Sequence, residues 1–290
     1  MRKWFIFVAF VVGIATGVHA EVEPTAEATE AYNAYVEAYK GGDLATAEAQ
    51  LKAAITAQAD WGQPYIELGQ LYIQQKKFGD AATQLEKATE LSPDNANGYL
   101  YLGNAYVARE IYSKAVPALT TALALDSSLI EAHRLLATAL FEDGDYASAR
   151  EHYMAFVAVH PDNAQAQLRL AETNKNLKKN KSAVKAYKAA IKADPNMFAA
   201  HYNLGNLQLE RQDFEEAEDA FKAAVRIEPK NYKAHFNLAI SLHYQSKLSE
   251  ALVEYEQVVK VGKGKRGASA TVKQAEGVIP GLKEQIAAGN

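Results

Sequence analysis

The chain has 290 residues, of which 49% are apolar and 23% charged, an ordinary balance for a soluble helical protein. Its formal net charge of −4 gives no global attraction for a polyanion, so nucleic acid is not an expected partner. The absence of cysteine excludes disulfides, thiolate metal sites and cysteine nucleophiles.

The first twenty residues read as a secretory signal peptide. Met1-Arg2-Lys3 supplies positive charge, Trp4–Val12 and Ile14–Val18 an apolar run, and Val18-His19-Ala20 a small-residue cleavage site. Cleavage is expected between Ala20 and Glu21, which makes the chain an exported one. The competing reading is an uncleaved anchor, although the run is slightly short for a span of ~20 residues. A cysteine-free exported chain fits a bacterial periplasm, with membrane contact at most peripheral. Residues 21–27 read as an extended leader.

From residue 28 to residue 265 one 34-residue pattern recurs without insertion or deletion. The units are 28–61, 62–95, 96–129, 130–163, 164–197, 198–231 and 232–265. Position 20 is alanine in all seven: Ala47, Ala81, Ala115, Ala149, Ala183, Ala217 and Ala251. Position 8 is Gly69, Gly103, Ala137, Ala171, Gly205 or Ala239, preceded each time by leucine, and position 32 is proline in four units. In the sixth unit, Ala199–Glu210 places apolar residues at helical spacing, and Asp213 is the expected N-cap of a second helix. Phe214, Ala217, Phe221 and Ala224 continue at helical spacing until Pro229 ends the helix. Gly205 and Ala217 are small enough for the two helices to approach closely. One such pair cannot bury its own apolar face and needs neighbours.

The departures from the pattern carry their own expectations. The first unit reverses the large–small order at Ala34-Tyr35, as terminal repeats often do. The fifth has Asn174 and Asn180 where others are apolar, which predicts a soft joint over 164–197. It is also rich in lysine, read as a solvated face, or else as a docking patch for an acidic partner or anionic lipid. Segment 262–267 reads as a flexible basic linker. Val272, Ala275, Ile279, Leu282 and Ile286 then form one helical stripe, expected to cap the seventh unit. Pro280 should kink or restart that helix, and Pro117 is a smaller defect of the same kind.

These positions resemble the tetratricopeptide repeat (TPR) family. The resemblance implies an all-α fold: a right-handed α-solenoid of seven helix–turn–helix repeats with a C-terminal capping helix. It also implies that the first helix of each repeat lines a concave surface that binds protein or peptide segments. Carried onto this chain, the partner-binding candidates are Tyr202, Asn203, Asn206, Lys233, Phe236, Asn237 and Tyr244, with Tyr101, Arg134 and Arg169 from earlier repeats. O-linked N-acetylglucosamine transferases carry asparagines at position 6 that grip peptide backbone. Asn33, Asn203 and Asn237 match them, while Glu67, Tyr101, Leu135 and Arg169 interrupt the ladder. An extended peptide held by Asn203 and Asn237 is one reading, and a tie between neighbouring helices is the other.

No constellation of catalytic residues is legible, and no metal or cofactor is expected. His133, His201 and His235 share position 4 and read as packing residues. The expectation is therefore a non-enzymatic binding scaffold or assembly adaptor of the cell envelope. Two alternatives stay open: a structural array in which repeat ends stack between molecules, making a homo-oligomer, and a regulatory subunit of an envelope enzyme encoded elsewhere.

Overall fold

The computed structural model describes residues 22–289, so the signal segment and its cleavage site lie outside the described residues. Fifteen α-helices and no strand occur among them. The chain divides into two compact units at Ala105/Tyr106, inside the fifth helix.

The first unit holds α1 (Ala26–Lys40), α2 (Leu44–Ala57), α3 (Gly62–Gln74), α4 (Phe78–Leu91) and most of α5 (Ala96–Ala108). Helix α1 starts two residues earlier than the repeat pattern predicts, because the Thr25 hydroxyl caps it by accepting from the Ala28 amide at 3.2 Å. Helices α1 to α4 each pack on the next, and Tyr65, Ile66 and Ala88 form one cluster with Ile55, Leu91 and Tyr101 around it.

The second unit holds α6 (Tyr112–Leu125), α7 (Ile130–Asp143), α8 (Tyr146–Val159), α9 (Ala164–Asn176) and α10 (Asn180–Ala193). It continues with α11 (Phe198–Glu210), α12 (Phe214–Ile227), α13 (Tyr232–Tyr244), α14 (Leu248–Gly262) and α15 (Ser269–Gly289). Within each unit the architecture is that of an α-solenoid. Helix α15 adds Ala275 and Leu282 to the core made by Phe221, Leu238, Leu242, Tyr255 and Val258, and so caps the seventh repeat. It continues through Pro280 without the restart that was the one alternative there, and α6 likewise continues through Pro117. The connection 263–268 is a short turn with Gly264 and Gly267 at φ +81° and +80°.

The repeat positions acquire physical reasons. All seven position-20 alanines are completely buried, leaving no room for a larger side chain. At Gly205 an added Cβ would stand 2.7 Å from the ring of Phe221, itself fully buried. Burying such a ring stabilises by about 1.5–3 kcal/mol, and Gly205 makes the approach available. Position 15 takes a left-handed backbone in every repeat, at Gly42, Lys76, Glu110, Gly144, Lys178, Gln212 and Ser246. The side chain of position 4 donates to the position-32 carbonyl of the preceding repeat four times: Tyr65 to Ala59, Gln167 to Pro161, His201 to Pro195 and His235 to Pro229, at 3.0–3.1 Å. Two of the position-4 histidines are thereby assigned to packing between repeats. His133 instead pairs with His152 of the same repeat, Nδ1 to Nδ1, at 2.8 Å.

One further expectation needs correction. Asp213 stands at the start of α12 but makes no capping bond, because its carboxylate pairs with Arg211 Nε at 3.0 Å. Asp43 and Asp145, at the same repeat position, do cap their helices. In repeat five, Asn174 is buried and accepts from Arg150 Nε at 2.9 Å, so a bond across repeats offsets the lost apolar bulk.

Candidate functional site

The first helices of the repeats carry aromatic and amide side chains, and each unit arranges them differently. In the first unit, Tyr39, Gln70, Ile73, Gln74, Tyr101 and Asn104 line a cleft of about 280 Å³. Two rings and an isoleucine form apolar walls, and three amides offer donors and acceptors that do not depend on charge. Tyr39 is 40% exposed, and its hydroxyl reaches Gln74 Oε1 at 3.4 Å. Burial pushes the Tyr101 hydroxyl above its ordinary value, and the Glu67 carboxylate adds to this, so the ring stays neutral. Beside the cleft, Glu67 accepts from Tyr35 at 2.9 Å, from Gln63 at 2.7 Å and from Tyr32 at 3.3 Å. Burial, then Glu67, raises the Tyr32 pKa to about 12.

In the second unit the same face is a polar ladder. Arg169 pairs with Glu172 at 3.2 Å and with Glu142 at 3.5 Å, and its guanidinium lies 5.2 Å from the centre of the Phe141 ring. Burial pushes the Glu172 carboxyl up, against the attraction of Arg169. Asn203 Nδ2 donates to Glu172 Oε1 at 3.3 Å. Asn237 Nδ2 donates to Asn206 Oδ1 at 2.7 Å and to the Tyr202 hydroxyl at 3.3 Å. Lys175 pairs with Glu210 between repeats five and six at 2.9 Å.

Among the candidates named from sequence, this brings Asn206, Asn237 and Tyr202 into one hydrogen-bonded group. Asn203 joins Arg169 through Glu172. Both asparagines therefore make the inter-helix ties that stood as the alternative to a peptide grip. Phe236 packs edge-on against Tyr255, 5.9 Å between centroids. Tyr244, 69% exposed, stacks flat on Phe214 at 4.7 Å. Arg134 is held by Glu131 on its own helix, and Lys233 lines a separate cavity with Lys230 and Lys265 at the turn before α13. Sequence reasoning missed the carboxylates Glu67, Glu142, Glu172 and Glu210. The available signal was spacing, since Glu67, Glu172 and Glu210 each lie 31 to 35 positions from a group that they meet.

The described residues contain no cluster of three or more metal-ligating side chains and no helix long and apolar enough to cross a membrane.

A family model described as "Tetratricopeptide repeat" matches residues 134–196, 175–232 and 202–270, and another described as "TPR repeat" matches 69–109. Together they take in more than half of the chain. The chain belongs to the tetratricopeptide repeat family. Three solved TPR-like structures give the scale of the likeness. YrrB, described as a TPR protein with an unusual peptide-binding site, is 22% identical with a TM-score of 0.59, over 68% of this chain and 97% of its own. A crystal structure of MamA is 22% identical with a TM-score of 0.54, over 58% and 92%. PilF of Pseudomonas aeruginosa is 18% identical with a TM-score of 0.57, over 74% and 97%. At these identities the likeness establishes the fold. No curated protein sequence matches this TPR chain.

Proposed function

We propose that this TPR protein is a non-catalytic adaptor of the bacterial cell envelope that holds extended protein segments on the face of its first helices. The observation that carries this reading is the cleft of Tyr39, Ile73 and Tyr101 with its three amides. Rigid aromatic walls beside amides suit a peptide whose side chain enters the cleft while its backbone exchanges hydrogen bonds. The description of YrrB as a peptide-binding TPR protein supports the class of ligand. The signal-like first twenty residues support export to the periplasm. The cap that α15 makes on repeat seven weighs against end-to-end stacking there.

The test is selection of peptides from a displayed random library against the protein beginning at Glu21, followed by Tyr101→Ala and Asn104→Ala. Affinity for the selected peptides should fall about tenfold or more in both variants, and in Asn104→Ala with melting little changed. Selected peptides that bind both variants as well as the parent would reject the cleft as the site.

A further inference from the structure

The opposite face of the second unit carries a feature that the adaptor reading does not use. Helices α8 and α10 are separated by a groove floored by α9. Two adjoining cavities, of about 390 and 360 Å³, share Gln167 and Ala189. The groove exists because α10 presents small residues there: Ser182, Ala186, Ala189 and Ala193. At the positions matching the last three, α14 carries Glu254, Gln257 and Val261. The opposite wall is apolar, with Val157, Ala158 and Met154, the last 44% exposed.

Charge along the α10 wall of this groove has one sign. Lys181, Lys185, Lys188 and Lys192 recur every three or four residues and are all exposed on α10, which contains no acidic residue. None of the four makes an ion pair or side-chain hydrogen bond among the described residues, whereas Arg169 and Lys175 of the same repeat do. Lys185 and Lys192 stand at the groove itself, seven residues apart, which is about 10 Å along a helix. Asp162 is the one acid among the residues lining the two cavities.

We propose that this groove docks an acidic protein segment, inserting a bulky apolar side chain over Ala186 and Ala189 and placing carboxylates against Lys185 and Lys192. An apolar slot alone would not choose among hydrophobic segments. The unpaired lysines supply the choice, since a carboxylate brought to them displaces no internal partner. An extended segment would cover the distance between the two lysines in about three residues. This site is independent of the first-helix face.

The probe is a fluorescein-labelled twelve-residue peptide with a central Leu-Leu pair flanked by glutamates. One control replaces the glutamates by lysines, and another replaces the leucines by glycines. The protein should bind the probe at least tenfold more tightly than either control, with affinity falling steeply as salt is raised. Lys185→Glu with Lys192→Glu, and separately Ala189→Phe to fill the groove, should each weaken binding at least tenfold. Asn203→Ala with Asn237→Ala should leave it unchanged. If Ala189→Phe does not fold, Ala189→Gln takes its place. Equal binding of the three peptides, or full binding by the filled groove, overturns the proposal. So does sedimentation with phosphatidylglycerol vesicles through these lysines when the probe itself does not bind, which would assign the stripe to lipid.

Discussion

Arg150 of α8 donates from Nε to Asn174 Oδ1 of α9 at 2.9 Å, closing a polar bond where the matching positions of repeats four and seven hold Leu140 and Leu242. Asn174 is only 3% exposed, so without that donor its carbonyl would be buried and unsatisfied. Arg150→Ala should therefore cost about 1–3 kcal/mol, the penalty of an orphaned buried polar group. Adding Asn174→Leu should recover most of the loss. Denaturant titration of the two variants checks this, and an Arg150→Ala protein as stable as the parent contradicts the role of the bond.

One repeat later the same position holds Gln208, and its Oε1 is buried with no donor. The residue matching Arg150 is Val184, which cannot supply one. Gln208→Leu removes the unsatisfied group and matches Leu140 and Leu242, so it should stabilise by about 1–3 kcal/mol. A shift of the urea midpoint to lower concentration would count against it.

The contrast between these two residues shows what the sequence could reveal. Helix positions, the small alanines and the capping helix were all legible, because burial imposes a period and this period held across seven repeats. Whether Asn174 is a defect or a bonded core residue depends on Arg150, which lies 24 positions earlier and belongs to no motif. The binding face divided in the same way. Tyr101 and the asparagines were found from their register, whereas Glu67 and Glu172 organise that face through contacts a single-repeat pattern does not encode. Asp213 shows a converse error, because a suitable capping residue was diverted by Arg211 two positions away.

The tie between Asn237 and Asn206 sets an expectation for stability rather than affinity alone. Asn237→Ala removes bonds to Asn206 and Tyr202, each worth about 0.5–1.5 kcal/mol. Melting temperature should fall measurably, and Asn203→Ala should lower it less, since its single bond to Glu172 is longer at 3.3 Å. Unchanged melting in both variants would show that these ties carry no stability.

Glu218 on α12 sets the acid limit of the joint between repeats six and seven. Its carboxylate accepts from Lys247 at 2.7 Å, from Gln245 at 2.8 Å and from Lys222 at 2.6 Å. Burial alone would raise its pKa, but these three donors outweigh burial and hold it at about 2. A lowered folded value means stability present above the ordinary glutamate pKa of about 4.3 and lost as pH falls toward 2. Glu218→Gln should destabilise at pH 7 and match the parent near pH 2. A difference in melting temperature that does not shrink between pH 5 and pH 2 would falsify this assignment.

His235 sets the opposite limit within repeat seven. Its Nε2 lies 3.0 Å from the Pro229 carbonyl and its Nδ1 lies 2.6 Å from Glu254 Oε2. A carbonyl and an ionised carboxylate only accept, so both ring nitrogens must donate and the ring carries a positive charge. Burial works against that charge, but the Glu254 bond, the Pro229 bond and the Glu254 charge prevail and raise the pKa above its ordinary value. A raised folded value means stability fully present below the unfolded histidine pKa of about 6.5 and lost as pH rises through the folded one. His201 makes the same carbonyl bond but faces Ala220 where His235 faces Glu254, so it lacks the second acceptor. In His235→Gln the amide can keep the carbonyl bond, as Gln167 does with Pro161 at 3.1 Å, while the charged pair is lost. The parent should therefore be more stable than His235→Gln by about 1.5–3 kcal/mol below the ordinary histidine pKa. That margin should shrink as pH is raised. Thermal melts of the two proteins from pH 5 to pH 9 read the margin directly. A constant difference between the parent and His235→Gln across that range would mean that the ring is not held as the imidazolium.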